Sequence, residues 1–323
     1  MSRALWVRET GGPEVLSLET ASPAEPGPAT VRVKTAAAGV NFIDVYFRTG
    51  LYPRPLPFVL GLEGSGTIEA VGEGVTGFAE GDRVAWASAP GSYADHVLAP
   101  VRMIVPVPDG IADDVAAAAM LQGMTAHYLT HGVRETKPGD TALVHAAAGG
   151  VGLLLIQLLK AAGARVIGTC STDEKEALAR GAGADEVIRY TEQDFVPATR
   201  EFSGGGGVDV VYDSVGLTTF EGSLASLRPR GLLALYGQSS GRVPPFELQK
   251  LNDGGSLFVT RPSLLHYTAT REELELRAGA VLGAVARGEL DVRIGARFAL
   301  AEAADAHRAL EGRKTTGKVL LIP

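Results

Sequence analysis

Between Thr141 and Pro262 the chain alternates short buried strands with helices, and this rhythm limits the folds that it can adopt. Thr141–Ala146 is an apolar run of strand length, Gly149–Gly163 has the continuous hydrophobicity of a buried helix that ends at a glycine, and Ala164–Cys170 is strand-like again. Strands that are buried on both faces and joined by helices are typical of parallel sheets. The segment therefore predicts a doubly wound α/β domain.

The same alternation continues to the end of this segment. Further strands are predicted within residues 175–190, 207–216, 231–241 and 256–262. Glycine and proline residues separate these strands from the helical stretches between them. The residues before about Ala119 have a different sequence pattern, in which short β-branched runs such as Thr30–Gly39 alternate with glycine and proline turns. That pattern predicts a compact and mainly antiparallel β domain.

The sequence pattern changes again in the last part of the chain, after Pro262. Thr270 and Glu273 form a capping box for a helix, and the closing segment TGKVLLIP is strand-like. We expect this tail to rejoin the first domain. The predicted organisation is a discontinuous domain of residues 1–119 and 263–323 around a second domain of residues 120–262.

Composition excludes several classes of protein. The 30 Lys and Arg against 37 Asp and Glu give a net charge of −7, which opposes the electrostatics of nucleic-acid binding. The single cysteine, Cys170, forms neither an internal disulfide nor a cysteine-rich zinc site, so a reducing, cytoplasmic location is the simplest expectation. No stretch reaches the roughly 18 apolar residues of a membrane span.

The turn His145–Gly152, with the sequence HAAAGGVG, lies between the first predicted strand and helix of the α/β domain. Small residues there let backbone N–H groups approach a pyrophosphate, and the helix N-terminus adds a favourable partial positive charge. The predicted contacts are Gly149, Gly150, Val151 and Gly152. Because Ala147 replaces the first glycine of the usual G-x-G-x-x-G pattern, a tight turn that only packs the helix is the alternative interpretation.

The end of the second strand of this domain indicates which dinucleotide is bound. NAD sites usually place a carboxylate there to accept a hydrogen bond from the ribose 2′-hydroxyl, but Ser171 and Glu174 resemble a capping pair that puts Asp173 inside the next helix. With no carboxylate at the strand tip and Lys175 one turn along, a 2′-phosphate would be attracted, and NADPH is the predicted cofactor. The alternative is that Ser171 only caps the helix and that Lys175 is solvated.

Several ordered motifs give the chain a resemblance that runs nearly from end to end. They are Ala36–Pro53 (AAAGVNFIDVYFRTGLYP), Gly61–Gly66 (GLEGSG), Gly81–Val84 (GDRV), HAAAGGVG, Val211–Gly216 (VYDSVG), Tyr236–Gly241 (YGQSSG) and Ser256–Leu265 (SLFVTRPSLL). The chain resembles the NADPH:quinone oxidoreductases of the zeta-crystallin-like branch of the medium-chain dehydrogenase/reductase superfamily. The resemblance implies a discontinuous GroES-like domain plus a Rossmann domain, an NADPH cofactor, and a homodimer whose contact lies near Ser256–Pro262.

The chain departs from the zinc alcohol dehydrogenases of that superfamily at their metal ligands. It has Asn41 where they carry a cysteine and Gly61-Leu62-Glu63 where they carry G-H-E, and Leu62 has no atom that binds zinc. A zinc-free enzyme is therefore expected, acting on a substrate that is already electrophilic, such as a quinone or another conjugated carbonyl. The alternatives are NADPH-dependent reduction of enoyl or alkenal double bonds, and a catalytically silent NADPH-binding structural or RNA-associated protein.

The resemblance also implies residues at the nicotinamide and substrate end. These are Asn41, Tyr46, Tyr52 and Thr125. The two tyrosines have hydroxyl groups that could donate to developing charge on a quinone oxygen, and packing of their rings is the alternative. Thr125 could instead bond its own helix backbone. Asp44 either orients Asn41 or caps a turn.

The remaining cofactor contacts implied by the resemblance belong mostly to the carboxyl ends of the α/β strands. Ser171, Lys175 and Tyr190 are expected around the 2′-phosphate, followed along the chain by Ser214, Gly216, Gly237, Gln238, Ser239, Phe258 and Lys318. Phe258 has a core position as its alternative, and Lys318 a solvated loop. His145 is expected to be structural or near the cofactor ribose, and no metal site is expected, since His127 and His131 lack a third ligand.

Overall fold

The computed structural model describes residues 1–323. Contacts between residues divide the chain into two compact units, one formed by residues 1–124 and 268–323 and the other by residues 125–267. We call these the first unit and the second unit.

Both boundaries lie a few residues beyond the predicted ones at 119/120 and 262/263. The helix Asp113–Tyr128 runs past the first predicted boundary without a break. At the other boundary, Tyr267 stacks on Tyr128 with ring centroids 4.6 Å apart, which keeps residues 263–267 with the second unit.

The chain forms sixteen strands and ten α-helices. The strands are β1 (Ser2–Val7), β2 (Leu16–Ala21), β3 (Thr30–Val40), β4 (Phe58–Val59), β5 (Glu63–Val71), β6 (Arg83–Trp86), β7 (His96–Pro100), β8 (Ile104–Pro106), β9 (Thr141–Val144), β10 (Arg165–Cys170), β11 (Glu186–Arg189), β12 (Val208–Asp213), β13 (Leu227–Leu235), β14 (Phe258–Thr260), β15 (Ile294–Ala299) and β16 (Lys318–Ile322). The helices are α1 (Phe42–Arg48), α2 (Asp113–Tyr128), α3 (Gly150–Ala161), α4 (Asp173–Gly181), α5 (Phe195–Phe202), α6 (Phe220–Ser226), α7 (Gln249–Asp253), α8 (Leu264–Tyr267), α9 (Arg271–Ala286) and α10 (Ala303–Glu311).

The second unit contains a six-stranded sheet in the order β11-β10-β9-β12-β13-β14, and every neighbouring pair is parallel. This is the strand order of a Rossmann domain, and it confirms the predicted doubly wound fold. The order reverses between β9 and β12, where ligands of such sheets bind at the carboxyl ends of the strands. Leu143, Ile167 and Val211 are fully buried and hold the centre of the sheet in an apolar core.

The first unit is built on mainly antiparallel strands. A larger sheet runs β15-β16-β3-β5-β6-β8, with β7 also paired to β3, and a smaller one runs β2-β1-β4. Strand β16 pairs antiparallel with β3, so the tail completes the sheet that the opening residues begin. The discontinuous and mainly antiparallel β domain predicted from the sequence is thereby confirmed.

Strand β3 shows why this sheet forms where it does. Its first half alternates buried side chains with partly or fully exposed ones, as expected for a strand with one face toward a core, whereas its end, Ala37–Val40, is buried throughout. Alanine and glycine there let other groups approach closely on both faces. Glu63 of β5 and Lys318 of β16 lie on the strands that flank this small-residue stretch.

Two helix starts test the capping predictions. Thr270 and Glu273 form the expected capping box at α9. The prediction for α4 is wrong by one residue, because Thr172 rather than Ser171 adopts the extended backbone of an N-cap and accepts a hydrogen bond from the Lys175 N–H. None of the helices combines the length and the apolar composition that a membrane crossing requires.

Candidate active site

Three polar side chains meet in the interior of the first unit. Asn41 Nδ2 donates to Glu63 Oε2 at 2.8 Å, and Lys318 Nζ donates to Asn41 Oδ1 at 2.9 Å and also to Glu63 Oε2. The second carboxylate oxygen of Glu63 accepts the backbone N–H of Leu121 at 2.6 Å. We call Asn41, Glu63 and Lys318 the buried clamp.

The clamp depends on Gly39, which lies between its members on β3. Gly39 pairs with Leu320 on one side and with Glu63 on the other. A Cβ added at Gly39 would lie 2.1 Å from Glu63 Oε2 and 2.7 Å from Lys318 Cε. Only glycine leaves room for the ion pair at this point of the sheet.

The clamp excludes water almost completely. The side chain of Lys318 is 1% exposed and that of Glu63 is 0% exposed. The alternative that Lys318 is a solvated loop charge is therefore wrong. Glu63 has no role in the sequence-based prediction, although a charged residue among the small residues of GLEGSG is the signal that could have found it.

Asn41 uses its whole amide group inside the clamp. Its Nδ2 also lies 3.3 Å from the Gly39 carbonyl oxygen, so both ends of the amide are engaged. Asn41 is also the N-cap of α1, where Asp44 Oδ2 accepts the Asn41 N–H at 2.9 Å in a capping box. Both interpretations of Asp44 hold together, since it caps the helix and fixes the backbone of Asn41.

A chain of buried groups extends from Asp44. The Tyr93 hydroxyl donates to Asp44 Oδ2 at 2.9 Å and lies 3.2 Å from His307 Nε2, while Arg48 donates to His307 Nδ1 at 3.1 Å. Because arginine only donates, His307 carries its proton on Nε2 and directs it to the Tyr93 oxygen. Arg48 also forms a two-fold ion pair with Glu311. The hydrogen bonds from Arg48 through His307 and Tyr93 therefore all point toward Asp44.

Burial sets the protonation states along this chain. It raises the pKa of Asp44 to about 7, against the opposing effects of its hydrogen bonds from Asn41 and Tyr93 and of the Lys318 charge. Burial, with Arg48 beside the ring, lowers the pKa of His307 to about 3, and burial raises the pKa of Tyr93 well above its ordinary value. Asp44 is therefore the member of the chain that titrates near neutral pH.

The two tyrosines predicted for the substrate end come after Asn41 in the chain, Tyr46 on α1 and Tyr52 beyond it. Tyr46 is 8% exposed and meets Tyr52 edge to face with ring centroids 5.2 Å apart. Tyr52 lies in the loop after α1, where its N–H donates to the Tyr46 carbonyl oxygen. The rings do pack together, and the role of their hydroxyl groups stays a prediction. Thr125, on α2, is 6% exposed.

The turn His145–Gly152, for which pyrophosphate contacts are predicted and which we call the pyrophosphate turn, lies between a strand and a helix as expected. Strand β9 ends at Val144, Ala146 adopts a positive φ of 51°, and Gly149 is the N-cap of α3. The N–H groups of the first turn of α3 belong to Gly150, Val151 and Gly152, and such groups have no acceptor within their own helix. A Cβ on Gly152 would lie 2.4 Å from the Ala146 carbonyl oxygen, so the helix packs tightly under the turn.

The residues predicted around a 2′-phosphate lie at the adjoining strand ends. Lys175 Nζ reaches Ser171 Oγ at 3.5 Å, and Tyr190 directly follows β11 with its side chain 41% exposed. Arg189, the last residue of β11, pairs across the sheet with Cys170. Its guanidinium is ion-paired with Asp173, which lies inside α4 as predicted.

The loops after β12 and β13 carry most of the other predicted cofactor residues and are bonded to each other. Ser239 N–H donates to the Ser214 carbonyl oxygen at 3.1 Å. Gly216 has a positive φ of 88°, and a Cβ on Gly237 would lie 2.4 Å from the same carbonyl of Ser214. Gln238, which lies between Gly237 and Ser239 in the chain, is 7% exposed. The structure thus brings Ser214, Gly216, Gly237, Gln238 and Ser239 together.

Phe258 lies apart from these loops on the edge strand β14. It is 60% exposed, so a core position for its ring is excluded. Its predicted contact with the nicotinamide half of a cofactor stays a prediction. No group of three or more His, Cys, Asp or Glu side chains in the chain is arranged to hold a metal ion.

Comparison with known proteins agrees with both units. Residues 27–109 match the family described as alcohol dehydrogenase GroES-like domain, and residues 150–275 match the family described as zinc-binding dehydrogenase. The chain is 49% identical to a quinone oxidoreductase of Pseudomonas aeruginosa, with 100% of both chains covered. It is 43% identical to a 2-haloacrylate reductase of a Burkholderia species, over 100% of this chain and 99% of the relative.

The chain is also similar in three dimensions to a solved structure. The quinone oxidoreductase of Escherichia coli complexed with NADPH superposes with a TM-score of 0.97 at 44% identity, with 100% of both chains covered. A GroES-like unit joined to a Rossmann unit defines the medium-chain dehydrogenase/reductase class. Within that class, the chain belongs to the quinone oxidoreductase family.

The clamp generates a prediction about stability. Lys318→Met should lower the free energy of unfolding by about 3–5 kcal/mol, because it leaves the buried Glu63 carboxylate without its counterion. Lys318→Met combined with Glu63→Gln should restore most of that loss, since no uncompensated charge remains. Urea unfolding of the two variants and the parent measures both effects. A double variant no more stable than the single one would contradict the prediction.

Asp44 generates a prediction about pH. Its pKa is raised to about 7 in the folded chain from an ordinary 3.8, so between these values only the folded chain keeps the proton. The free energy of unfolding should therefore fall as pH rises through this window, by about 4 kcal/mol in total, and level off above it. Asp44→Asn should remove this component, whereas Asp109→Asn, at an exposed position, should keep it. Urea unfolding at pH 4 to 8 tests this, and an unchanged slope in Asp44→Asn would refute it.

Proposed function

We propose that this chain is an NADPH-dependent quinone oxidoreductase. The observation that carries the proposal is the full-length match to quinone oxidoreductases, including one whose structure holds NADPH. The second unit supplies a matching dinucleotide site, with small residues under the turn after β9 and first-turn N–H groups of α3 available to a pyrophosphate. Bound NADPH supplies the hydride that reduces the quinone.

The preference for NADPH over NADH follows from the strand end after β10. The position where a ribose-binding carboxylate is usual carries Ser171, and the Lys175 ammonium lies beside its hydroxyl. The nearest carboxylate along the chain, Asp173, is turned to Arg189 in an ion pair. A 2′-phosphate therefore meets Ser171, Lys175 and Tyr190, and a charge-assisted bond from Lys175 favours it.

In the first unit, we propose that the reaction proceeds without zinc. Leu62 has no donor atom, and the amide of Asn41 is engaged by Glu63 and Lys318. The Lys318 ammonium already provides the positive charge that neutralises Glu63. Tyr46 and Tyr52 are proposed to orient the quinone and to donate hydrogen bonds to its oxygen as negative charge develops there. Outside the first unit, Thr125 of α2 is proposed to contact the nicotinamide end of the cofactor.

A second candidate is the reduction of a carbon–carbon double bond conjugated to a carbonyl or carboxyl group. It is favoured by the 43% identity to a 2-haloacrylate reductase over the whole chain. Quinones and such conjugated substrates share an electrophilic carbon that accepts hydride without strong polarisation. The two activities are therefore separated by rates on purified substrates rather than by the fold.

We further propose a cytoplasmic homodimer. Support for the dimer comes from β14, an edge strand of the sheet whose Phe258 is 60% exposed, with exposed Leu248 and Leu265 in the flanking segments. Support for the location comes from the single Cys170, which leaves no internal disulfide. Light scattering in solution measures the mass, and a monomer at micromolar concentration would refute the dimer.

The function itself is tested by one panel of assays. Protein with its metal content determined by elemental analysis is mixed with NADPH or NADH and with a series of quinones, enals and 2-haloacrylate. We expect NADPH oxidation with quinones in protein without stoichiometric zinc, and slower oxidation with NADH. Rates at background level for every quinone would refute the proposal, and faster rates with enals or 2-haloacrylate would favour the second candidate.

A single substitution tests the 2′-phosphate site. Lys175→Ala should raise the dissociation constant for NADPH by about tenfold, the loss of one charge-assisted hydrogen bond, and should hardly change NADH binding. Nicotinamide fluorescence measures both constants. Lys137→Ala, which removes a lysine ahead of β9, serves as the control and should leave both unchanged. Equal losses for the two dinucleotides in Lys175→Ala would show that the lysine does not recognise the phosphate.

A further inference from the structure

His145, the first residue after β9, lies in a buried network that the proposed function does not use. Its Nδ1 is 3.0 Å from Thr169 Oγ1 on β10, and its Nε2 is 3.0 Å from Ser223 Oγ on α6. The ring is 1% exposed and meets Phe195 edge to face at 4.9 Å. The residue begins the pyrophosphate turn and contacts β10, α5 and α6.

The donor and the acceptor of each hydrogen bond in this network follow from the Asp213 carboxylate, which only accepts. The Ser223 hydroxyl donates to Asp213 Oδ2 at 2.8 Å, so its oxygen must accept the proton on His145 Nε2. His145 Nδ1 then accepts from the Thr169 hydroxyl. Burial lowers the pKa of His145, opposed by the Asp213 charge, which agrees with a neutral ring of this single tautomer.

Asp213 connects the network to the loops beyond β12 and β13. Its Oδ1 accepts the N–H groups of Val215 and Gly216 at 2.8 and 3.0 Å. Its backbone carbonyl oxygen accepts the N–H of Tyr236 at 2.8 Å. The loop after β12 is therefore bonded directly to the Asp213 carboxylate and His145 is bonded to it through Ser223, while the loop after β13 is bonded to the Asp213 backbone.

The composition of this group resembles a hydrolytic triad, but its geometry does not. In such triads the histidine lies between the serine and the carboxylate, so that it can take the serine proton. Here Ser223 lies between His145 and Asp213 and gives its proton to the carboxylate. All three side chains are buried, so none of them reaches a substrate.

We infer that His145, Ser223 and Asp213 are positioning residues that set the affinity for the dinucleotide by holding the pyrophosphate turn and the loop after β12 in one arrangement. They do so without touching the cofactor. A site whose loops are already ordered loses less conformational entropy when it binds its ligand. The inference rests on the proposed NADPH site and adds residues that the sequence analysis assigned no such role.

The test compares cofactor binding with catalysis in His145→Leu and Ser223→Ala. Each should raise the dissociation constants of NADPH and NADH together by about tenfold, because the turn and the loop must then be ordered when the dinucleotide binds. The quinone KM and the kcat at saturating NADPH should stay at the parent values. His145→Gln, whose amide can donate to Ser223, should bind NADPH more tightly than His145→Leu. Ser226→Ala, which removes another buried hydroxyl of α6 bonded only to Gly222, should change neither constant.

The double variant His145→Leu/Ser223→Ala separates one network from two independent contacts. If the residues act as a unit, it binds NADPH no more than about twofold worse than the weaker single variant, whereas independent losses multiply to about a hundredfold. Multiplied losses, unchanged affinity in the single variants, or an equal loss in Ser226→Ala would each overturn the inference. Parent protein that binds no NADPH would instead refute the proposed function, so the two failures are distinguishable.

Discussion

The first unit depends on a lysine ammonium and a glutamate carboxylate that meet where water is excluded. Taking either charge out of water alone would cost several kcal/mol, so each is tolerated only because the other is present. Their meeting point in turn requires Gly39 between them and an amide, Asn41, that bonds both. Because Asn41 also begins α1, the ion pair fixes the start of the helix that carries Tyr46.

Each unit therefore contains a directional buried network behind its predicted functional residues. In the first, Arg48 sets the tautomer of His307, which orients Tyr93 toward Asp44. In the second unit, the network is oriented by an acceptor rather than a donor: Asp213 accepts the Ser223 proton, and the Ser223 oxygen then accepts the proton of His145. Satisfied networks of this kind restrict a site to a single arrangement, whereas apolar packing alone tolerates several.

The sequence was sufficient for the fold and for the position of the turn between β9 and α3, whereas the residues that contact the dinucleotide stay predictions. The alternation of apolar strands with helices, and the glycines that end those helices, are signals in the local sequence. They are therefore enough to predict the strands of residues 141–262 and the turn before α3. The buried clamp could not be predicted from the sequence, because Glu63 and Lys318 are 255 positions apart and hydrophobic patterning does not indicate which charged residues are buried. The cap of α4 shows a smaller limit: Ser171 and Thr172 are both good caps, and only the backbone conformation distinguishes them.

The separation of Glu63 from Lys318 also bears on the order in which the chain acquires its structure. Strand β3 needs β16 as its neighbour, and Glu63 needs the lysine that begins β16, yet the whole of the second unit is synthesised between them. During synthesis, residues 125–267 emerge as one continuous stretch that holds its own sheet, whereas the first unit still lacks the strands β15 and β16 and the counterion of Glu63. Its opening residues must await the arrival of the tail from the ribosome before their interior can be neutralised.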